Sequence, residues 1–455
     1  MNAVIVFAAL SALLVAGKFL RVRLPFLQRL YLPSSVVGGA IGLAVLSAFP
    51  EALPGEVVGG MRQVPGFLIN VIFATIFLGA ATPKVRDVVR LALPQLALGQ
   101  IIAWGQYVVG LGLAGFLFVR LFGVPAAFGN LLEIGFEGGH GTVGGMAEAF
   151  TAFGWEDGIA LGFTVATVGM VTGIVLGMAM IQWAHRRGHV KEVREFGERR
   201  SHERRGIHLR GRRPSAGLQT VFSDSIDSLA WHAAVIGVAM LVGWAIRQCI
   251  PMKGFPLFPL CMIGGILLEL AAKAVRRDLL VDRVQMERIA GASLDFLVVS
   301  AVATIRLEVV AANWRPLAVL CVAGAVWSAC CVLFIAPRIF REAWFERAIA
   351  EFGQATGVTA TGLMLLRTVD PENRTPAAMS FGYKQLLHEP FMGGGLWTAL
   401  ALALVYRIGW LNVFWISLAM LAFWLVVAAV LMRSRSSDRA VNREAFSRHG
   451  LPRPV

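Results

Sequence analysis

The sequence predicts an all-α polytopic membrane protein of about 11 spans, arranged as two inverted five-span repeats with one extra C-terminal span. Three observations support this fold class. Hydrophobic residues make up 57% of the 455 residues and charged residues only 15%, whereas soluble domains are about 25% charged. Apolar runs reach the roughly 20 residues that cross a ~30 Å hydrocarbon core. Short motifs of the first half recur, in the same order, in the second half.

The predicted spans follow from the apolar runs. They lie at about 2–20, 31–50, 65–81, 93–120, 156–183, 229–248, 255–272, 290–310, 316–337, 376–406 and 410–432. Two more apolar stretches, about 125–152 and 343–368, are interrupted at their centres by Gly-rich polar sequence. We therefore predict that these two stretches are re-entrant hairpins and not full crossings.

The cations predict how the spans are oriented. The chain has a formal net charge of +14, most of it on two Arg-rich segments, 185–213 and 433–455. Cytoplasmic loops are enriched in Lys and Arg, so we expect both segments, and the C-terminus, inside and the N-terminus outside. Neither segment has the interleaved aromatic residues of a single-strand nucleic-acid groove. Membrane lipid is therefore an expected partner of these cations, and nucleic acid is not.

An internal repeat relates the two halves. Two short motifs recur, Pro33 with Gly38–Gly39 as Pro259 with Gly264–Gly265, and Ala-Thr-Ile at 74–76 and 303–305. The two interrupted hairpins also fall at matching places. Because the first half starts outside and the second inside, the repeats are inverted, and their hairpins are expected to meet near the midplane. Secondary transporters hold substrate and coupling ions there.

The repeat defines the predicted domains. They are a first inverted repeat at 1–183, a basic cytoplasmic loop at 184–228, a second inverted repeat at 229–407, an extra span at 408–432 and a basic cytoplasmic tail at 433–455. Each repeat has four spans, a hairpin and a fifth span.

The first hairpin carries most of the residues predicted to bind a substrate. They are Glu137, Gly138, Gly139, His140, Gly141 and Thr142. The glycines expose backbone amides, and a half-helix beginning near Thr142 would direct its positive end at the break, where a carboxylate is held well. Gly141 and Gly145 also fit a small-xxx-small packing pair. This alternative explains the glycines but not Glu137 and His140.

The second hairpin carries the residues predicted to hold a coupling ion. They are Gln354, Thr356, Gly357, Thr359 and Thr361, with Asp295 added from span 290–310. Carbonyl and hydroxyl oxygens suit a hard cation such as Na⁺, and we predict no other metal and no cofactor. The alternative is that the Thr hydroxyls bond back to carbonyls of an ordinary helix.

Span 376–406 contains Lys384, His388 and Glu389, followed by Pro390 and Gly393–Gly395. A charge near the bilayer centre costs about 2.5–3.5 kcal/mol on insertion scales, so these three groups should be paired or line a cavity. The Pro and the glycines favour an unwound, site-lining segment. The alternative is that the span begins after Glu389 and leaves the charges in interfacial water.

Arg306 in span 290–310 is a further candidate for substrate binding. Its guanidinium could neutralise a carboxylate by a planar, two-pronged contact. A snorkelling Arg at the end of a span is the alternative.

These motifs resemble those of the bacterial glutamate:sodium symporter family. The likeness rests on Tyr31-Leu-Pro with Gly38-Gly39, on Phe73-Ala-Thr-Ile with Leu78-Gly79, and on Gly138-Gly-His-Gly-Thr142, and covers most of residues 1–406. The resemblance implies a homodimeric transporter of the bacterial inner membrane. It also implies that a substrate-carrying domain moves against a dimer scaffold and that glutamate uptake is coupled to Na⁺.

The sequence thus predicts cation-coupled symport of a small carboxylate or amino acid, with glutamate and Na⁺ as first candidates. Glu137, Lys384, His388 and Glu389 add ionisable groups to the family's pattern, so a proton-coupled transporter of a different organic anion is the alternative. Walker A, HExxH and GxSxG motifs are absent, which weighs against an ATP-driven pump or a common hydrolase. We predict that the protein is not an enzyme. A membrane-embedded enzyme that uses His140, Glu137 and His388 in acid/base chemistry, or a channel, ranks behind transport.

Overall fold

The computed structural model describes residues 2–80, 91–190, 201–209, 211, 213–252, 254–275, 279–340 and 342–449. Every regular element in these ranges is helical, as predicted. Seven helices are long and apolar enough to cross a membrane, which makes the chain a multi-pass membrane protein. The predicted inner-side cations within 81–90, 191–200 and 276–278, and the tail from 450 to 455, lie outside the described residues.

The first half contains nine α-helices in its described part, and a short 3-10 helix, Ala126–Asn130, lies between the fifth and the sixth of them. They are α1 (Asn2–Arg23), α2 (Pro25–Arg29), α3 (Ser34–Ala48), α4 (Gly55–Thr75), α5 (Leu93–Phe122), α6 (Leu131–Phe136), α7 (Gly139–Gly145), α8 (Ala147–Ala152) and α9 (Asp157–Arg186). Pro33 and Pro54 precede α3 and α4, where a missing N–H costs nothing because the first turn of a helix has no internal acceptor for it.

The second half contains ten helices in its described part. They are α10 (Ser201–Arg204), α11 (Ser228–Gln248), α12 (Phe258–Ala274), α13 (Arg283–Ala303), α14 (Leu307–Ala312), α15 (Trp314–Ile339), α16 (Trp344–Val369), α17 (Ala377–His388), α18 (Leu396–Ile408) and α19 (Trp410–His449). The Asp227 carboxylate caps α11 by accepting from the backbone N–H groups of Leu229 and Ala230. The other four predicted spans correspond to helices that are shorter, broken or more polar than the seven helices that are long and apolar enough to cross a membrane. They are α3, α12, α13 and the pair α17–α18.

Two helices lie earlier in the chain than their predicted spans. α4 ends at Thr75 and α13 at Ala303, both at the repeated Ala-Thr-Ile motif, so the predicted boundaries 65–81 and 290–310 are wrong by six to ten residues. Arg283, at the start of α13, donates to the carbonyls of Thr75 and Ile76 at 2.9 and 2.8 Å. The guanidinium satisfies carbonyls that would otherwise bond to the next helical turn, and so ends α4.

Helices that the sequence repeat aligns make reciprocal contacts. On α3, an added Cβ at Gly39 would lie 2.6 Å from the Cβ of Val302 on α13. On α12, an added Cβ at Gly265 would lie 2.6 Å from the carbonyl oxygen of Ala74 on α4. The second glycine of each pair therefore contacts the C-terminal end of a helix of the other half, α13 for Gly39 and α4 for Gly265. The opposite orientation of the two halves in the bilayer stays a prediction.

The helices pack as two groups. The first helix group comprises α1, α3, α4, α11, α12 and α13, which pack on one another around small apolar cores. The second helix group comprises α5–α9 and α15–α19, which surround the largest core. α7, from the first predicted hairpin, belongs to the second group and contacts α4 and α13 of the first. The first hairpin thus lies where the two groups meet.

Candidate functional site

Three interruptions of helical backbone meet inside the second helix group. They are the break between α6 and α7 at Glu137–Gly138, the kink of α16 at Gly357–Val358, and the segment 389–395 between α17 and α18. An added Cβ on Gly139 would lie 2.4 Å from Val358 Cγ1, and one on Gly394 would lie 2.5 Å from Thr142 Oγ1. Non-helical backbone at membrane depth is found where it is buried or lines a cavity, so this meeting point is the candidate site.

The kink of α16 is tightly folded and strained. An added Cβ on Gly353 would lie 2.6 Å from Gly362 Cα, so the two arms of the helix nearly touch. Val358, at the tip, has φ 63° and ψ 171°, a region that β-branched residues rarely occupy and that costs on the order of 1–3 kcal/mol. Strain of this kind is concentrated at functional sites.

Glu133 on α6 holds the third interruption in place. Its carboxylate accepts hydrogen bonds from Tyr107 Oη at 2.6 Å, from the backbone N–H of Gly393 at 2.8 Å and from Thr398 Oγ1 at 2.8 Å. The side chain is fully buried. One carboxylate therefore ties α5, α18 and the glycine segment together, and a buried carboxylate needs such donors to offset its lost hydration.

Glu137, at the first break, pairs with His388 at the end of α17. Glu137 Oε1 lies 2.5 Å from His388 Nε2 and accepts from Gln354 Nε2 at 3.3 Å. The side-chain oxygen of Gln100, Oε1, accepts from Trp104 Nε1 at 2.8 Å. The side-chain nitrogen of Gln100, Nε2, therefore faces His388 Nδ1 at 3.1 Å. Nδ1 is then the acceptor, and the imidazole proton lies on Nε2, directed at Glu137.

Lys384 forms a second buried ion pair beside the first. Its Nζ lies 3.0 Å from Glu351 Oε2 and donates to Gln354 Oε1 at 3.0 Å. Glu351 Oε1 accepts from Gln95 at 2.9 Å, and Gln95 Oε1 accepts from Arg347 Nε at 2.9 Å. Gln354 joins the two pairs, because its oxygen binds Lys384 while its nitrogen binds Glu137. We call the connected set Glu137, Glu351, Gln354, Lys384 and His388 the polar cluster.

Glu389 lies next to the polar cluster with its own partners. Its Oε1 accepts from Thr359 Oγ1 at 3.1 Å and from Gln385 Nε2 at 2.8 Å. Thr359 belongs to the outgoing arm of α16, so this contact ties that arm to the end of α17. The side chain of Glu389 is partly exposed, whereas Lys384 and His388 are fully buried.

The structure brings most of the predicted site residues together. Glu137, Gln354, Lys384 and His388 form one bonded network, and the glycines of the first break contact the other two interruptions. Several predicted residues have other partners: Thr356 Oγ1 donates to the Phe352 carbonyl, Thr142 Oγ1 to the Gly138 carbonyl, and His140 Nε2 lies 2.9 Å from Thr167 Oγ1. Thr361 is buried against Gly357. The back-bonding alternative for the second hairpin thus describes Thr356, and Thr142 of the first hairpin makes the same kind of bond.

Two predicted residues lie elsewhere. Arg306 precedes α14 and forms an ion pair with Asp157 at the start of α9, 2.6 Å apart, with both side chains partly exposed. Asp295 is on the exposed side of α13 in the first helix group, with Lys18 and Ser35 as neighbours. Neither belongs to the polar cluster, because the helices that carry them pack outside the meeting point of the interruptions.

We expect the substitution Arg306→Ala to change the free energy of unfolding by no more than about 1 kcal/mol, because exposed ion pairs contribute little. Asp157→Ala should have an effect of the same size. Thermal and denaturant unfolding of the purified protein measures both. A loss several times larger for either variant would mean that the pair has a stronger role than its exposure indicates.

Sequence reasoning did not select several residues that complete the site. They are Glu133, Glu351, Tyr107, Gln95, Gln100, Trp104 and Arg347. Glu133 and Glu351 are carboxylates within apolar runs, a signal that marks functional positions in membrane proteins. The Gln residues of α5 recur at 95, 100 and 106 in an otherwise apolar helix, and such a polar series was a second available signal.

The chain matches a model of a known protein family. A family model described as sodium/glutamate symporter matches residues 1–369. No curated protein matches the chain. The matched range contains the first two interruptions and ends at the last residue of α16. Lys384, His388, Glu389 and the third interruption therefore lie beyond it.

Proposed function

The chain belongs to the sodium/glutamate symporter family, and we propose that it carries glutamate across a bacterial inner membrane by cation-coupled symport, as a homodimer. The family match covers 369 of 455 residues, and seven helices are able to cross a membrane. Membership of a transporter family supports a function without catalysis.

The main support for a substrate site here is one carboxylate oxygen of Glu137, Oε2. This oxygen is buried and has no hydrogen-bond partner among the described residues, an arrangement that is costly unless a ligand supplies a donor. An ammonium group is the matching donor, and glutamate carries one beside its two carboxylates. We place this ammonium at Glu137 and the carboxylates along Gly138–Thr142. The Nε2–H of His140 is donated to Thr167 Oγ1, which itself donates to the Phe163 carbonyl, so His140 is not one of the donors.

Packing supports movement of the second helix group against the first. At their contact, α7 presents Gly141 to Ile69, Gly144 to Pro65 and Gly145 to Phe258. Small residues let helices approach closely without interlocking side chains. In the proposed cycle the second group carries the site, and the first group is the scaffold and the dimer contact.

The test is uptake of radiolabelled L-glutamate into proteoliposomes that contain the purified protein. We expect saturable uptake that unlabelled glutamate inhibits. Glu137→Gln should raise the KM about 10- to 100-fold, because a hydrogen bond to a charged group contributes about 1.5–3 kcal/mol.

Glu148→Gln is the matched control, since Glu148 is an exposed carboxylate on α8 of the same hairpin; its KM should stay at the wild-type value. Equal KM values for wild type and Glu137→Gln would remove Glu137 from the substrate site. Linear, non-saturating flux would favour a channel, and uptake of another organic anion in preference to glutamate would support the alternative substrate.

A further inference from the structure

The first helix group has a long apolar groove on its surface, apart from the polar cluster. Its volume is about 1180 Å³, above the roughly 300–1,000 Å³ of typical small-molecule sites. Its walls come from α1, α4, α11 and α13, and the segment 216–219 lies at one end. Most of the lining side chains are apolar, among them the rings of Phe7 and Phe296, whose centroids are 5.3 Å apart. Because α1, α4 and α11 are long enough to cross a membrane, the groove opens to lipid.

The groove has the length of one lipid leaflet. Along α13 its lining runs from Gln285 to Phe296, which is about 16 Å at 1.5 Å per residue. One leaflet is about 15 Å deep, half of a ~30 Å hydrocarbon core. The polar end of the groove lies at the start of α13, which the Lys and Arg residues of this region place on the expected cytoplasmic side. The groove therefore has room for an acyl chain of the inner leaflet.

The polar end of the groove carries one cation without an ion-pair partner. Arg288 on α13 lines the groove, is exposed, and forms no ion pair with any residue that the structure describes. The carboxylates of the same region have donors of their own. They are Asp227, which caps α11, Asp282, which caps α13, and Glu287, which pairs with Arg283. An Arg side chain extends to the level of the phospholipid headgroups, and its planar fork matches a phosphate.

We propose that the groove binds one anionic phospholipid of the inner leaflet, with an acyl chain along α13 and the phosphate at Arg288. Anionic lipid is concentrated in the cytoplasmic leaflet, so it is present where this cation is expected. Charge favours a lipid over a second copy of this chain. A copy related by a two-fold axis would bring the same cationic patch to this face, whereas a phosphate neutralises it.

The groove lies on the reverse side of two helices that contact the first hairpin. On α4, Ile69 faces α7 at Gly141 and Leu68 lines the groove. On α13, Leu297 faces α7 and Phe296 lines the groove. A bound acyl chain packs against α4 and α13 from the side opposite to α7. Its binding should therefore stabilise the folded protein.

The first experiment is native mass spectrometry of the purified protein, titrated with phosphatidylglycerol or with phosphatidylcholine of the same acyl chains. Wild type should retain one phosphatidylglycerol per chain in preference to phosphatidylcholine. Arg288→Gln should weaken phosphatidylglycerol binding about fivefold, since one basic residue at an anionic lipid surface contributes about 1 kcal/mol. It should leave phosphatidylcholine binding unchanged. Arg187→Gln removes an exposed cation that follows α9 in the second helix group. As the matched control, it should bind both lipids as wild type does.

The second experiment fills the groove with a large side chain. Ala292 on α13 is exposed and lines the groove, so Ala292→Trp should no longer retain phosphatidylglycerol. Ala245 on α11 is exposed outside the lining, and Ala245→Trp should retain it. Added phosphatidylglycerol should raise the Tm of wild type and of Ala245→Trp by several degrees, saturably, as expected for a ligand of the folded state. The Tm of Ala292→Trp should not change.

Three results would overturn the proposal. Equal binding of the two lipids by wild type is one, and equal phosphatidylglycerol binding by wild type and Arg288→Gln is another, because the lipid is then ordinary surrounding lipid. The third is an Ala292→Trp variant that dissociates into monomers and binds as much lipid as wild type, because the groove is then a contact between copies. The Arg288→Gln comparison stands even if Ala292→Trp does not fold, and none of these measurements depends on transport.

Discussion

Replacing Glu351 by Gln is expected to lower the free energy of unfolding by about 3–5 kcal/mol, the cost of leaving one partner of a buried ion pair uncompensated. Glutamine keeps the shape of the side chain and its contact with Gln95, so the main loss is the charge that faces Lys384. Lys384 and Glu351 are at most 1% exposed, and solvent therefore cannot replace the lost partner. Unfolding of the purified protein by denaturant or heat measures the difference.

Two comparisons isolate the charge. The double variant Glu351→Gln with Lys384→Met should recover much of the loss, because no uncompensated charge remains. Glu372→Gln removes a carboxylate from an exposed pair with Arg374, both side chains 62% exposed, and should cost no more than about 1 kcal/mol. If Glu351→Gln is as stable as wild type, the Lys384–Glu351 pair is not charged in the folded protein.

The substitution Gly141→Leu is expected to reduce glutamate uptake to the background of liposomes without protein. An added Cβ at Gly141 would lie 2.6 Å from Ile69 Cδ1, and Leu297 Cδ1 is 3.9 Å away. The end of the Ile69 side chain can shift, so the protein folds at a cost of about 1–3 kcal/mol for overpacking. The larger side chain then interlocks α7 with α4 and prevents one helix group from moving past the other.

The measurement combines uptake with the oligomeric state of the purified variant, which we expect to match wild type. Gly237→Leu is the matched control, because no atom lies within 4 Å of a Cβ added there, and it should transport at the wild-type rate. Wild-type uptake by Gly141→Leu would exclude α7 from the moving contact.

The positions of the three interruptions could be predicted because they depend on local composition. Glycine and proline weaken the interior of a helix, and polar side chains beside them identify backbone that is buried or lines a cavity. The break at Glu137–Gly138, the kink at Gly357 and the segment after His388 all lie where the sequence has these residues. All-α architecture followed from the length of the apolar runs in the same way.

The pairing of charged side chains could not be predicted, because it depends on contacts between distant parts of the chain. Glu137 pairs with His388 and Glu133 binds Gly393, each partner in the other half. Arg306 was expected at the site but reaches Asp157, since the chain leaves its helix at Ala303, before the apolar run ends. Arg283, which lies in the second half, donates to the carbonyl of Thr75 at the end of α4. No local sequence pattern predicts such a contact.

The reciprocal glycine contacts have a consequence for how such a chain evolves. Val302 packs against Gly39, and the backbone at Ala74 packs against Gly265. Each half thus provides the glycine against which a helix end of the other half packs. If the two halves descend from one duplicated unit, these contact positions cannot change independently in either copy. A larger residue in place of one of these glycines requires a smaller residue or a backbone shift in the helix end that packs against it. Substitutions at the two sides of each contact should therefore occur in pairs.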